Sequence, residues 1–266
     1  MPDKLNLDSH LLAEIAEAVR SVLGLSFPPE RFRELERAVL LQGESTGQAP
    51  LDVALAMTGN GEGREWQRKY IEDMSRFLTV GETYFFREPA SLISIKNLVL
   101  PALIEERRSV KRLKVWSAGC CSGEEVYSLA MILPALSDDW QVTIYGTDIN
   151  SESLETARRG VYGDRSVRQI DSRFEGLKRQ LQELVAGSYV VGEKLKKQVD
   201  FARVNLACTP YPKFLRELDL IVCRNVLIYF EPEERRRTIA NLSQCLAPGG
   251  WLCLGAAEFE ETTGLV

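Results

Sequence analysis

The chain has 266 residues, 45% of them hydrophobic and 27% charged, and its 33 Lys and Arg against 38 Asp and Glu give a net charge of -5. That balance suits a globular protein of one or two domains burying roughly three quarters of its unfolded surface, and it argues against a dedicated nucleic-acid binder. No apolar run approaches the ~20 residues of a membrane span, and the polar start lacks a secretory leader pattern, so a cytoplasmic protein without membrane insertion is expected.

Apolar residues at Leu11, Leu12, Ile15, Ala16, Val19, Val22 and Leu23 repeat at helical spacing behind a capping signal at Asp8 or Ser9, which predicts a helix over 8–25. Helices follow at 29–41, around 51–57 and at 64–78, with loops at 43–49 and 59–63 between them. Together they predict an all-α N-terminal domain over 1–80. Arg31, Arg33 and Arg37 on the second helix either face an acidic partner or pair with the interleaved Glu30, Glu34 and Glu36.

A segment rich in aromatics, 78–89, leads into a helical pattern at 90–107, so 81–110 reads as the link into the second domain. Phe85 and Phe86 are expected as a plug between the two domains, with Arg87 as a helix-cap charge or a ligand contact. Basic clusters at 105–114, 158–159 and 235–237 read as solvated helix faces.

From 111 onward strands and helices alternate: strand 113–117, helix 124–136, strand 141–148, helix 151–159. That alternation predicts a parallel α/β sheet with right-handed crossovers. A helix over 174–185, a hairpin of 189–191 with 198–204 about a charged turn at 192–197, a strand at 218–223, a helix at 232–245 stopped by Pro248, Gly249 and Gly250, and a strand at 251–256 complete the pattern.

Cys120, Cys121, Cys208, Cys223, Cys245 and Cys253 show neither a disulfide framework nor zinc spacing and are expected as reduced thiols, and the single histidine, His10, lies in the first helix. No metal site is expected, nor any mechanism that needs a histidine base.

Between the strand at 113–117 and the next helix, residues 119–123 are all small, so a ligand can lie against backbone N–H groups at the helix start. The acidic pair Glu124 and Glu125 at that start would repel a pyrophosphate, so a cationic group is expected instead. Asp148 closes the second strand, where an acidic residue reaches the ribose hydroxyls of a nucleoside; capping of the following helix is its competing role.

Five motifs then stand in order: Gly-Glu-Thr-Tyr-Phe-Phe-Arg-Glu-Pro (81–89), Trp-Ser-Ala-Gly-Cys-Cys-Ser-Gly-Glu-Glu-Val-Tyr-Ser (116–128), Gly-Thr-Asp-Ile (146–149), Val-Asn-Leu (204–206) and Cys-Arg-Asn-Val-Leu-Ile-Tyr-Phe (223–230). Read together they resemble the CheR family, the chemoreceptor glutamate methyltransferases that use S-adenosylmethionine. The resemblance implies a Rossmann-like class I methyltransferase sheet over 111–266 with a small antiparallel subdomain at about 187–204. It implies that Thr83, Arg87, Glu124, Glu125, Asp148, Asn205, Leu206, Arg224 and Asn225 hold S-adenosylmethionine, and that Arg87 and Tyr229 stand beside the transferring methyl. The implied acceptor is a glutamate carboxylate on the cytoplasmic helices of chemoreceptors, the products are a methyl ester and S-adenosylhomocysteine, and the implied enzyme is a monomer. A carboxylate with a pKa of ~4.3 is ionised at neutral pH and attacks without a general base. Methylation of a different protein or small molecule, and a non-catalytic cofactor-binding module, are the alternatives.

Two departures from the family pattern stand out. The chain stops at Thr263, Gly264, Leu265 and Val266 where a further apolar strand usually follows, which predicts either a piece of a longer protein or an open sheet edge. The expected excursion at 187–204 lacks a glycine-rich tip, which suggests action without a receptor tether.

Overall fold

A computed structural model describes residues 7–59, 63–134, 136, 137 and 139–259, so the expectation about 263–266 lies outside the described residues. The N-terminal region is helical, with helices at Ser9–Leu23, Phe32–Thr46, Pro50–Thr58, Arg64–Asp73 and Ser75–Leu78. The apolar stripe of the first helix, Leu12, Ile15, Val19 and Leu23, is buried with Leu35, Val39, Met57 and Ile71 from the others, as 3.6-residue periodicity requires. Gly24 ends that helix at φ 72°, returning its N–H to the Arg20 carbonyl.

Two helix boundaries differ from expectation. The second helix passes 41 and runs to Thr46, since Gly43 does not break it: a Cβ there would come within 2.9 Å of the Gln48 carbonyl oxygen, so this glycine serves close packing. The expected helix over 64–78 divides at Met74.

The helix after the link also has a local cause for its irregularity. It runs through Pro89–Ser94, one π-helical turn at Ile95–Val99, and Leu100–Glu106; Pro101 has no N–H to give the regular ladder.

The strands are β1 (Arg112–Ala118), β2 (Gln141–Asp148), β3 (Val161–Gly163), β4 (Leu181–Val185), β5 (Ser188–Val191), β6 (Val199–Arg203), β7 (Leu218–Cys223) and β8 (Leu246–Leu254). Five of them form a parallel sheet in the order β6-β2-β1-β7-β8. The strand order reverses between β1 and β7, which opens a crevice at their C-terminal ends, where α/β sheets bind ligands. β7 is buried along its whole length; its Asp219 accepts from Arg107 Nε at 2.5 Å and from the Lys114 N–H at 2.7 Å. Arg107 thus has a buried partner, and Arg235 is itself buried, donating to the Leu227 carbonyl at 2.9 Å. The basic clusters are therefore only partly solvated faces.

Five expectations for the second half are corrected. Of 174–185 only Glu175–Lys178 is helical; Leu181–Val185 is β4, paired with β5 across Gly187 at φ 77°. The strand 199–203 pairs with β2 at the edge of the main sheet instead of forming a hairpin with 189–191, and a short helix, Glu193–Lys196, lies between. The small antiparallel sheet, β3-β5-β4, therefore spans 161–191 and not 187–204. Tertiary pairing overrides local helical periodicity here because a left-handed glycine supplies the turn. The helix from Glu124 stops at Ile132, ahead of Pro134, and Pro248 to Gly250 lie inside β8.

Phe85 and Phe86 are fully buried, but not between domains. Phe86 stacks on Phe174 with centroids 4.7 Å apart, and Phe85 meets the Tyr162 ring edge-on at 5.0 Å. They close the gap toward the small sheet. The helical region instead meets the sheet through a shared apolar cluster in which Val22, Leu25, Phe27 and Leu78 join Val204, Leu206, Leu227 and Phe230. Polar contacts add to it: Ser26 N–H to the Tyr229 carbonyl at 2.8 Å, Asn205 Nδ2 to the Val22 carbonyl at 2.7 Å, and Arg203 to Asp73 at 2.9 Å. All six cysteines are free, and no helix among the described residues is long and apolar enough to cross a membrane.

Candidate functional site

A cleft of about 1100 Å³, counting space open to solvent, lies at the reversal of strand order and is roofed by Leu25, Phe27 and Arg31 of the helical region and by 79–83 of the link. Thr83, Arg87, Glu125, Asp148, Asn205, Leu206, Arg224, Asn225 and Tyr229 all line it, though they are scattered over almost 150 positions of chain.

Glu124 does not line it. Its carboxylate is 2% exposed, accepts from Ser122 Oγ at 2.7 Å and from Ser166 Oγ at 2.8 Å, and is raised above the usual carboxylate range by burial. The reason is helical geometry: adjacent residues on a helix point about 100° apart, so only one of the two acids can face the cleft. Glu125 is that one. Its Oε1 accepts from Ser117 Oγ at 2.7 Å and its Oε2 from Arg224 Nε at 2.9 Å. A carboxylate has about four acceptor positions, so capacity remains for a ligand donor.

Asp148 ends β2 with Oδ2 accepting the Cys121 N–H at 2.8 Å and Oδ1 the Asn150 N–H at 2.9 Å. Burial pushes its carboxyl up. The helix-cap role belongs to Asn150, whose side chain accepts from the N–H groups of Glu152 and Ser153, so Asp148 is left facing the cleft. The loop between them is tight: a Cβ at Gly119, where φ is 80°, would come within 2.4 Å of Val226 Cγ2. Cys121, at φ 50°, supplies backbone rather than sulfur chemistry, since burial raises its thiol pKa to about 11.

Arg87 donates to the Glu82 carbonyl at 2.5 Å and lies 5.9 Å from the Tyr84 ring centroid. Arg224 is nearly enclosed, its guanidinium donating to the Arg87 carbonyl at 3.0 Å as well as to Glu125. Asn225, at φ 60°, donates to Glu88 Oε1 at 2.5 Å. Asn205 spends its side chain on structure, reaching the Val22 carbonyl and Glu72, so its contribution to the cleft is backbone; Leu206 is packed into the core. Tyr229 lines the cleft from a short 3₁₀ turn, Leu227–Tyr229.

Sequence reasoning missed Arg31 and Ser153 as lining residues. Arg31 pairs with Glu34 at 2.7 Å and sits 4.6 Å over the Phe27 ring. The cleft thus combines cationic Arg87 and Arg224 with anionic Glu125 and Asp148, a donor set suited to a zwitterionic amino-acid tail joined to a nucleoside.

Residues 81–263 match the family model described as "CheR methyltransferase, SAM binding domain". The chain is 33% identical over 187 residues to a chemotaxis protein methyltransferase of Borreliella burgdorferi, covering 68% of this chain and 65% of that one. It is 35% identical over 185 residues to chemotaxis protein methyltransferase 2 of Vibrio cholerae (68% and 63%) and 34% over 191 residues to chemotaxis protein methyltransferase 1 of Pseudomonas aeruginosa (68% and 67%). The matches span about two thirds of the length of these relatives.

Proposed function

Because the chain belongs to the CheR methyltransferase family, we propose that it transfers a methyl group from S-adenosylmethionine to glutamate carboxylates on the cytoplasmic helices of chemoreceptors, giving methyl esters and S-adenosylhomocysteine. The observation that carries this reading is that the cleft's carboxylates are already engaged. Glu125 holds Ser117 and Arg224, and Asp148 holds two N–H groups. Such a site suits an acceptor that arrives deprotonated, as a glutamate does, better than an amine or alcohol that must lose a proton.

The bound cofactor supplies a methyl carbon on a positively charged sulfur. The protein's part is binding and placement. In this reading Arg87 takes the cofactor carboxylate through its planar fork, Glu125 takes the ammonium in place of the buried Glu124, and Asp148 takes the ribose hydroxyls. Thr83, Asn225 and the backbone of Asn205 and Leu206 complete the walls, and Arg224 holds Glu125 in place. Tyr229 and Arg87 orient the incoming carboxylate oxygen and keep water from it; alignment and desolvation together supply roughly 7–11 kcal/mol in favourable cases. The acceptor oxygen gains the methyl and no proton moves. The same reading takes 1–80 as a helical domain, 81–110 as the link and 111–266 as the transferase domain of a monomer that works on the cytoplasmic side.

The test is a tritiated-methyl assay against receptor cytoplasmic fragments. Base-labile methyl on glutamate is the expected product. Label on another acceptor would reassign the substrate, and tight S-adenosylhomocysteine binding without any methylated acceptor would make the chain a binding module.

A further inference from the structure

We propose that Glu258 is a positioning residue for methyl transfer, holding the 224–229 turn by its main-chain N–H groups and thereby setting Tyr229; this rests on the transferase reading above. Glu258 lies on a short helix after β8, Ala256–Phe259, away from the cleft lining, and its side chain is 0% exposed. Its Oε1 accepts the N–H groups of Val226 at 2.8 Å and Leu227 at 3.0 Å, and its Oε2 accepts that of Gly255 at 2.7 Å. One carboxylate therefore fastens the end of β8 to the turn after β7.

What it fastens is a strained stretch that carries the site. Asn225 is left-handed without being glycine, at φ 60°, a conformation that persists only when its surroundings enforce it. On one side Asn225 is held by Glu88; on the other, the next two N–H groups end on Glu258. Val226 then leans on Gly119, Leu227 is fully buried, and the Tyr229 N–H returns to the Val226 carbonyl at 3.2 Å. The path from Glu258 to the Tyr229 ring is thus two residues of tightly turned backbone. Space is set for this side chain, since a Cβ on Gly255 would lie 2.2 Å from Glu258 Oε2. The chemistry is also particular: an ionised carboxylate only accepts, so it meets all three N–H groups, whereas an amide would turn an NH₂ toward one of them.

The experiment compares the full chain with Glu258→Gln and Glu258→Asp, each alone and combined with Tyr229→Phe. Amide hydrogen exchange at Val226 and Leu227 reads the anchor without any acceptor. In Glu258→Gln it should accelerate at least about tenfold, S-adenosylhomocysteine affinity by calorimetry should stay within about threefold, and kcat should drop about tenfold or more at similar acceptor KM. In the Tyr229→Phe background the same change should cost less than about twofold, because the two act as a unit. Unchanged exchange at both amides, or an undiminished kcat loss in the Tyr229→Phe background, overturns the proposal. If Glu258→Gln does not fold, Glu258→Asp, which keeps the charge but shortens its reach, is held to the same readouts. Should the wild-type chain methylate nothing while both amides exchange slowly and respond to the variants, the transferase reading falls and the anchor stands.

Discussion

Arg224 and Glu125 form the innermost ion pair of the cleft, Nε to Oε2 at 2.9 Å, with the Arg224 side chain 1% exposed and that of Glu125 13% exposed. Because Arg224 also donates to the carbonyls of Arg87 and Glu88, one guanidinium ties the turn after β7, the helix start after β1 and the link between the helical region and the sheet.

Removing that cation leaves an acid without its partner. Arg224→Met should lower unfolding free energy by about 3–5 kcal/mol, read from urea denaturation, and adding Glu125→Gln to it should restore part of the loss. A midpoint unchanged from wild type would show the pair to be dispensable.

Arg87 differs, since it donates to the Glu82 carbonyl. Arg87→Ala should weaken S-adenosylhomocysteine binding by about 2–5 kcal/mol, the cost of losing one desolvated charge partner, and abolish transfer, with little change in the unfolding midpoint. Calorimetry at constant ionic strength checks it; affinity within a factor of two of wild type would contradict the assigned role.

Burial raises the carboxyl of Asp148, so the folded, ligand-free chain holds this proton more tightly than the unfolded chain does. The favourable term is fully present below the unfolded value of ~3.9 and is lost as pH rises through the raised folded value. Asp148→Asn should therefore show a stability curve that falls less steeply over that window than wild type. Denaturant midpoints measured across the acid range decide it; parallel curves would mean that Asp148 does not titrate differently in the two states.

The stacked pair Phe86 and Phe174 joins the motif-bearing link to the region of the small sheet. Phe86→Ala should cost about 3–5 kcal/mol through the cavity it leaves, whereas Phe86→Leu should cost much less. Thermal unfolding of both variants makes the comparison.

Asn205 bridges the helical region and the sheet through Val22 and Glu72. Asn205→Ala should cost about 1–3 kcal/mol and speed limited proteolysis near the first helix, with the fragment pattern read by mass spectrometry.

Much of the architecture was legible because local rules suffice where a period or a cap is strong. The stripe from Leu12 to Leu23 has one solution, and the run Leu218–Cys223 can only be a strand buried on both faces. The segment 174–204 was misread because its pairing is non-local: whether Leu181–Val185 is helix or strand depends on a partner reached across Gly187, and Val199–Arg203 finds β2 some fifty residues back.

The site divides the same way. Residue types and spacing pointed to the acidic helix start and to Asp148, and so to a cationic group beside a ribose, while Thr83, Arg87, Asn205, Leu206, Arg224, Asn225 and Tyr229 came from the family resemblance of the five motifs. All of these but Glu124 line the cleft. Only tertiary structure decided between neighbours: helix phase turned Glu124 onto Ser122 and Ser166 and left Glu125 to the cleft. It also brought Arg31 into the wall and set Glu258 against the N–H groups of Val226 and Leu227, contacts between residues over thirty to two hundred positions apart that no local pattern encodes.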